Sequence, residues 1–254
     1  MTIRWSELTA EQLRQRATAE ATVVVPVAAM EQHGPHLPVM VDSLLCSAIA
    51  ERAAERVALR SPPQRPVIVA PTIWSGLSEH HMPFGGTITL DFATFSAVLR
   101  CICRSLQRDG FERILLLNGH GGNEAALRVV VDELTADGGL ALATATYWHV
   151  AAEPIRAILE RQSGLRHACE AETSMVLALR PELVDPSRFA EARAAEDTDG
   201  ASGAYRWRSF PERTASGTIG DPTAASAEKG ERLLDATSAA VADLLMNEAF
   251  WRRR

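Results

Sequence analysis

The chain reads as an α/β protein of three layers, with helices on both faces of a mostly parallel central sheet. Two observations carry that reading. Short β-branched and apolar runs alternate with longer segments of helical period through the first half of the chain, the order that builds βαβ units. The histidines gather where those runs end: of seven, His33, His80, His81, His120 and His149 each follow a predicted strand. Ligands of parallel sheets bind outside that same carboxyl edge.

The elements follow in order. Thr9 to Ala21 predicts a short amphipathic helix, and Val23-Val24-Val25-Pro26-Val27-Ala28-Ala29 a buried strand. Ser43 to Leu59 carries strong helix formers, with Leu44, Leu45, Ala48 and Ile49 apolar, until Pro62, Pro63 and Pro66 stop it. Pro66 to Pro71 is a second strand, and the loop from Trp74 to Thr87 is crowded with groups able to bind. Thr87 to Leu90 reads as a short edge strand. Asp91 caps a helix on which Phe92, Phe95, Leu99, Ile102 and Leu106 recur at helical spacing, and Asp109-Gly110 ends it. Arg113 to Leu117, a helix from Asn123 to Ala136 and a strand from Ala141 to Trp148 repeat the pattern. Helices are expected over Ala152 to Arg161, from the His167–Ser174 segment to Leu179, and over Ala225 to Phe250. Pro186 to Arg213 has no period and is expected to be an extended excursion or subunit arm.

At 254 residues one domain, 1–254, is the expectation. Hydrophobic content of 46% and charge of 23% are ordinary for a soluble globular protein. A net charge of -6 gives neither nucleic acid nor an anionic membrane an electrostatic reason to bind. The N-terminus lacks a secretory pattern, and no apolar run approaches the ~20 residues of a membrane span, so the cytoplasm is the expected compartment. Cys46, Cys101, Cys103 and Cys169 form no disulfide framework and read as small core residues.

The stretch Glu31-Gln32-His33-Gly34-Pro35-His36, closed by Asp42, carries the chemistry. In an extended segment residues i and i+2 face the same way, so Glu31 and His33 present a carboxylate and an imidazole together. With Asp42 they suit a divalent ion such as zinc, manganese or iron. The plainer alternative is a loop in which Asp42 merely caps the helix beginning at Ser43. Asn118-Gly119-His120-Gly121-Gly122-Asn123 lacks the glycine spacing and the lysine of phosphate loops, and fits a turn that lets one imidazole reach inward. His167 and Glu172 lie five apart, so they share a site only if His167 precedes the helix; Glu170 competes with Glu172.

Together Glu31-x-His33 with Asp42, Gly85-Gly86-Thr87, Asn118-Gly119-His120-Gly121-Gly122-Asn123, His167-x-x-x-x-Glu172-Thr173-Ser174 and Gly220-Asp221-Pro222 resemble the creatininase (creatinine amidohydrolase) family. The resemblance implies a metal-dependent hydrolase of cyclic amides, formamides or peptide-like bonds, with two divalent ions and often a hexameric assembly. Carried over, it makes Glu31, His33, Asp42 and His120 metal ligands, with Asp42 bridging, and His167 a catalytic residue. Creatininase reads His-Tyr-Glu where this chain has His120-Gly121-Gly122, so Glu172 is expected to replace that glutamate, with Glu170 as the fallback. Creatinine itself is therefore not the expected substrate. Glu79, His80 and Trp148 are expected to contact a small-molecule or short-peptide substrate. The expected chemistry is attack by a water activated between the ions, with His167 protonating the departing nitrogen. A non-catalytic metal- or ligand-binding protein of the same fold is the alternative.

Overall fold

The computed structural model describes residues 2–60, 65–136, 140–194 and 205–252. Four strands, β1 (Thr22–Val27), β2 (Val67–Val69), β3 (Arg113–Asn118) and β4 (Ala141–Thr146), form one parallel sheet in the order β2-β1-β3-β4. Val24 pairs with Val69 on one side and Leu115 on the other, and Leu115 pairs with Ala143. All strands run one way, so Val27, Asn118 and Thr146 finish in one row. The loops after β1 and β3 therefore open on a shared edge.

Alternate residues of each central strand serve opposite layers, as the pleat requires. Val24, Leu115 and Leu117 join a core with α2 (Val41–Ala58), α7 (Glu170–Leu179) and α9 (Ala227–Met246). Val23, Val25, Val27, Ile114 and Leu116 face α3 (Phe92–Arg108) and α4 (Glu124–Ala136). The three-layer α/β/α reading is the observed one. The helix starts are also legible in their caps: Thr9 and Gln12 form a capping box on α1 (Ala10–Thr18), and Asp91 accepts from the Thr94 amide at the start of α3. The remaining helices are short: α5 (Tyr147–Val150), α6 (Ala152–Ile158), α8 (Phe189–Ala192) and α10 (Glu248–Trp251).

Several expectations need correction. Asp42 is buried in the first turn of α2 rather than capping it; Met40 holds the cap position. Thr87 to Leu90 makes only isolated bridges, Ile88 with Met30 and Thr89 with Gly76, because it crosses the loops above the sheet rather than extending it. β4 stops at Thr146 and the chain turns helical at Tyr147, which carries His149 to the surface and into a 3.0 Å contact with Glu124. The helix expected to Arg161 ends at Ile158, and the last one breaks at Asn247, whose side chain caps α10. The segment 186–213 is not simply an excursion: Phe210 is fully packed inside. Its middle part, 195–204, lies outside the described residues, as do Pro62 and Pro63. Cys46, Cys103 and Cys169 are buried, Cys101 is exposed, and none is paired.

The contact of α7 with α9 fixes the helix that bears Glu172. Gly230 lets the helices close in, since a Cβ there would lie 1.9 Å from the Ser174 carbonyl oxygen. Lys229, the chain's one lysine, is buried beside it. Its ammonium pairs with Glu170, lies 2.9 Å from Glu160 and donates to the Ala224 carbonyl at 2.6 Å. Glu170 also accepts from the backbone amides of Glu160 and Arg161 at 3.1 and 2.8 Å, so its carboxylate is committed to holding the helices together.

Candidate metal centre

Glu31, His33, Asp42, His120 and Glu172 converge at the carboxyl edge of β1 and β3, and all five are buried. Glu31 comes off the end of β1. One of its oxygens, Oε2, accepts from the Ser78 hydroxyl at 2.7 Å and lies 3.2 Å from His120 Nδ1. The other, Oε1, lies 3.2 Å from His81 Nε2 and 3.6 Å from His167 Nδ1.

Backbone carbonyls decide how His33 and His120 are protonated, because a carbonyl only accepts. His33 Nδ1 lies 3.0 Å from the Glu31 carbonyl and must donate to it, which leaves the Nε2 lone pair facing Asp42 Oδ1 at 3.1 Å. His120 Nε2 lies 3.1 Å from the Leu77 carbonyl and donates there, which leaves Nδ1 facing Asp42 Oδ2 at 3.1 Å. The two oxygens of one carboxylate thus each face a different imidazole. Glu172 Oε2 lies 3.9 Å from His33 Nε2. Ligands bound at about 2.0–2.1 Å to a tetrahedral zinc stand roughly 3.3 Å apart, close to these separations. Buried Asp42 Oδ2 has no hydrogen-bond donor, so lone pairs face one another across a gap that a cation would fill. The residues present fit a divalent metal.

With no cation the cluster balances itself by protons. Burial works against a charged His33, but Asp42, Glu172 and Glu31 outweigh it and raise its pKa to about 9. Burial likewise opposes charge on His120, and Glu31 and Asp42 push it well up. Burial lifts Glu172 to about 8 against the pull of His33. Asp42 goes down despite its burial, held by His33 and His120. His167 differs: burial and the neighbouring His33 and His81 keep it well below the ordinary range, so it is neutral.

His167 stands before α7, as the sequence required, and a backbone turn makes the reach possible. Ala168 sits in the left-handed region at φ 53°, a conformation that costs a residue with a Cβ about 1–3 kcal/mol. Its amide donates to Glu172 Oε2 at 2.5 Å. That turn brings His167 and Glu172 to one site although a regular helix would separate them. His167 Nε2 donates to the Gln32 carbonyl at 2.8 Å, leaving Nδ1 toward Glu31.

A cavity of about 420 Å³ opens over the cluster, and His80 and Trp148 line it. Glu79, the third residue expected at the substrate, is exposed and lies outside that lining. The serine before it and the second histidine after it, Ser78 and His81, are the loop residues that reach Glu31. Gln32, Phe210 and Arg213 had no motif to mark them. The Gln32 amide donates to His81 Nδ1 at 2.8 Å and to the Gly217 carbonyl at 3.0 Å, so the proton of His81 lies on Nε2, toward Glu31. The alternation of Gln32 between two site residues was the one available signal.

The family model described as creatinine amidohydrolase matches residues 6–245. The creatinine amidohydrolase of Pseudomonas putida is 32% identical over 260 aligned residues, covering 95% of each chain. The mycofactocin precursor peptide peptidase of Mycobacterium ulcerans is 32% identical over 213 residues, 84% of this chain and 79% of the relative. A solved structure of manganese creatininase superposes with a TM-score of 0.83 at 29% identity, covering 98% of this chain and 99% of the other.

Proposed function

The chain belongs to the creatininase family, and from that premise we propose that its buried cluster holds two divalent ions and hydrolyses a C–N bond of a cyclic amide, formamide or peptide-like substrate. The observation that carries this reading is the single carboxylate of Asp42 with His33 Nε2 at one oxygen and His120 Nδ1 at the other, each 3.1 Å away. In this reading Glu31, His120 and Asp42 would hold one ion, and His33, Glu172 and Asp42 the second. Glu170 takes no part, since Lys229 and two backbone amides occupy it. Zinc, manganese and iron all suit this nitrogen and oxygen donor set.

The ions, when bound, polarise the substrate carbonyl and make a water acidic enough to attack it near neutral pH. The protein supplies the rest. Ser78 and His81 donate to the two oxygens of Glu31 and so fix the direction in which that carboxylate points. His167, neutral and anchored through Nε2, offers a free Nδ1 at the cavity. It accepts a proton from the attacking water and returns it to the departing nitrogen, which is a poor leaving group until protonated. Trp148 and Phe210 wall the cavity and limit competing water. Peptide-like amides and formamides are favoured over creatinine, because Gly122 replaces the glutamate that creatininase carries there.

The test pairs elemental analysis of the purified protein with a screen of amide and formamide hydrolysis. We expect up to two divalent ions per chain and metal-dependent turnover. His167→Ala is expected to keep its metal and fold while kcat falls about 100- to 10,000-fold. Loss of metal in that variant would make His167 a ligand, and unchanged turnover would remove it from the chemistry.

A further inference from the structure

His80 stands in the wall of the cavity, and no described residue hydrogen-bonds to its ring. One nitrogen of His80, one nitrogen of His120 and a carboxylate oxygen of Glu31 lie within 4.8 Å of one another. Glu31 makes a similar group with His81 and His167, but those two rings are tied to Gln32. His81 Nδ1 accepts from the Gln32 amide at 2.8 Å, and His167 Nε2 donates to the Gln32 carbonyl at 2.8 Å. His80 is the ring of the three that Gln32 leaves alone.

The space beside it is the second observation. A Cβ at Gly122 would stand 3.1 Å from His80 Cε1 and 2.4 Å from His120 Nε2. Creatininase carries a glutamate at that position. In this chain an imidazole edge stands where that side chain would have to begin, and glycine is what lets His80 and His120 lie side by side.

The third observation is the donor count. Glu31, His120 and Asp42 offer one ion three donors, and His33, Glu172 and Asp42 offer the other three. Structural zinc sites are closed by a fourth protein donor, whereas catalytic ones keep a position open. A neutral imidazole suits that fourth place, since nitrogen and oxygen donors mix freely at such ions.

Resting on the two-ion reading, we infer that His80 is a fourth protein donor to the ion held by Glu31, His120 and Asp42. That ion is then the more tightly held of the two. The ion of His33, Glu172 and Asp42 keeps the open position at which a substrate carbonyl is polarised. His80 thereby takes a role other than the substrate contact expected from the sequence.

The test loads the full chain, its histidines labelled with nitrogen-15, with cadmium-113, a nucleus that couples through a bond to a ligating nitrogen. The wild type is expected to show one cadmium resonance coupled to two imidazoles and a second coupled to one. His80→Gln, its fold checked by circular dichroism, should lose one of the paired couplings. The tighter step of a chelator titration should also weaken in that variant by at least about tenfold, the lower end of what an outer partner of a ligating histidine is worth. One imidazole on each cadmium in the wild type would overturn the inference and leave the two-ion reading standing. A pair of couplings that survives in His80→Gln would overturn it too, because another histidine would then be the donor. Assigning the coupled ring through its own backbone in the wild type gives the same answer without a variant. If a single cadmium binds and is coupled to His80, the two-ion reading fails and the donor assignment stands; if none binds, both fail.

Discussion

A single methyl group at position 122 tests how His120 is held. A Cβ there would stand 2.3 Å from the Leu77 carbonyl oxygen and 2.4 Å from His120 Nε2, about 1 Å short of the 3.4 Å at which ordinary contact begins. The Leu77 backbone is anchored, since its amide donates to the Asn123 side chain at 3.0 Å. His120 must therefore give way, losing its 3.1 Å bond to Leu77 and with it the aim of Nδ1 at Glu31 and Asp42. Overpacking of this kind costs about 1–3 kcal/mol. In a protein of this size that lowers Tm by about 2–12 °C. Losing the outer hydrogen bond of a ligating histidine costs about 10- to 100-fold in metal affinity. Gly122→Ala should show both effects, in a thermal melt and in a zinc titration against a competing chelator. Wild-type values in both would refute the packing argument. Gly122→Glu, which restores the residue of creatininase, should fail in the same way and gain no creatinine turnover; robust hydrolysis of creatinine by that variant would show that the cavity yields more readily than its contacts imply.

Other outcomes follow from the same structure. Asp42→Asn should lose both ions together, while Glu172→Gln should weaken one; full metal content in Asp42→Asn by elemental analysis would remove the bridge. His33 at about 9 and Glu172 at about 8 both stand above their unfolded values of 6.5 and 4.5. Their contributions to the stability of the metal-stripped protein are therefore complete at low pH, and both are lost as pH rises toward 9. Melts of the stripped protein should fall across that window while zinc affinity rises, because the ion displaces those protons; a flat or rising melt would contradict the proton balance. Lys229→Met should cost about 3–5 kcal/mol by leaving Glu170 buried without its cation. Adding Glu170→Leu should recover much of that loss, and a double variant as unstable as the single would show that the pair is not the cause.

The parts of the fold legible in the sequence were those set by short-range pattern. The apolar runs at Val23 and Arg113, the capping residue Asp91 and the glycine turn at Gly110 all act within a few residues, and each sits where expected. The convergence of Glu31, His33 and His120 was legible for the same reason, because Glu31 and His33 share one extended segment and His120 ends a strand. What escaped depends on distance through space. Phe210 has no local partner that marks it as buried, and its environment is His81 and His167, well over a hundred and about forty residues away respectively. The choice between Glu170 and Glu172 turned on Lys229, from a helix that sequence spacing could not dock. Trp148 was expected in a strand because aromatics favour strands; tertiary packing of Tyr147 turned that stretch into helix instead.

The docking of α7 on α9 also sets an order in time. A ribosome delivers the chain from its N-terminus, and structure consolidates in that direction. Glu31, Asp42, Ser78 and His120 have all emerged before the midpoint of the 254 residues, along with three of the strands that carry or flank them. Glu172 has no fixed place until α9 arrives, with Gly230 to receive the Ser174 carbonyl and Lys229 to hold Glu170. On the two-ion reading, every donor but Glu172 is synthesised before the midpoint, and the second ion waits on that one residue. A nascent chain paused after β4 already owns every proposed donor but Glu172, and only the arrival of the closing helix seats that last one.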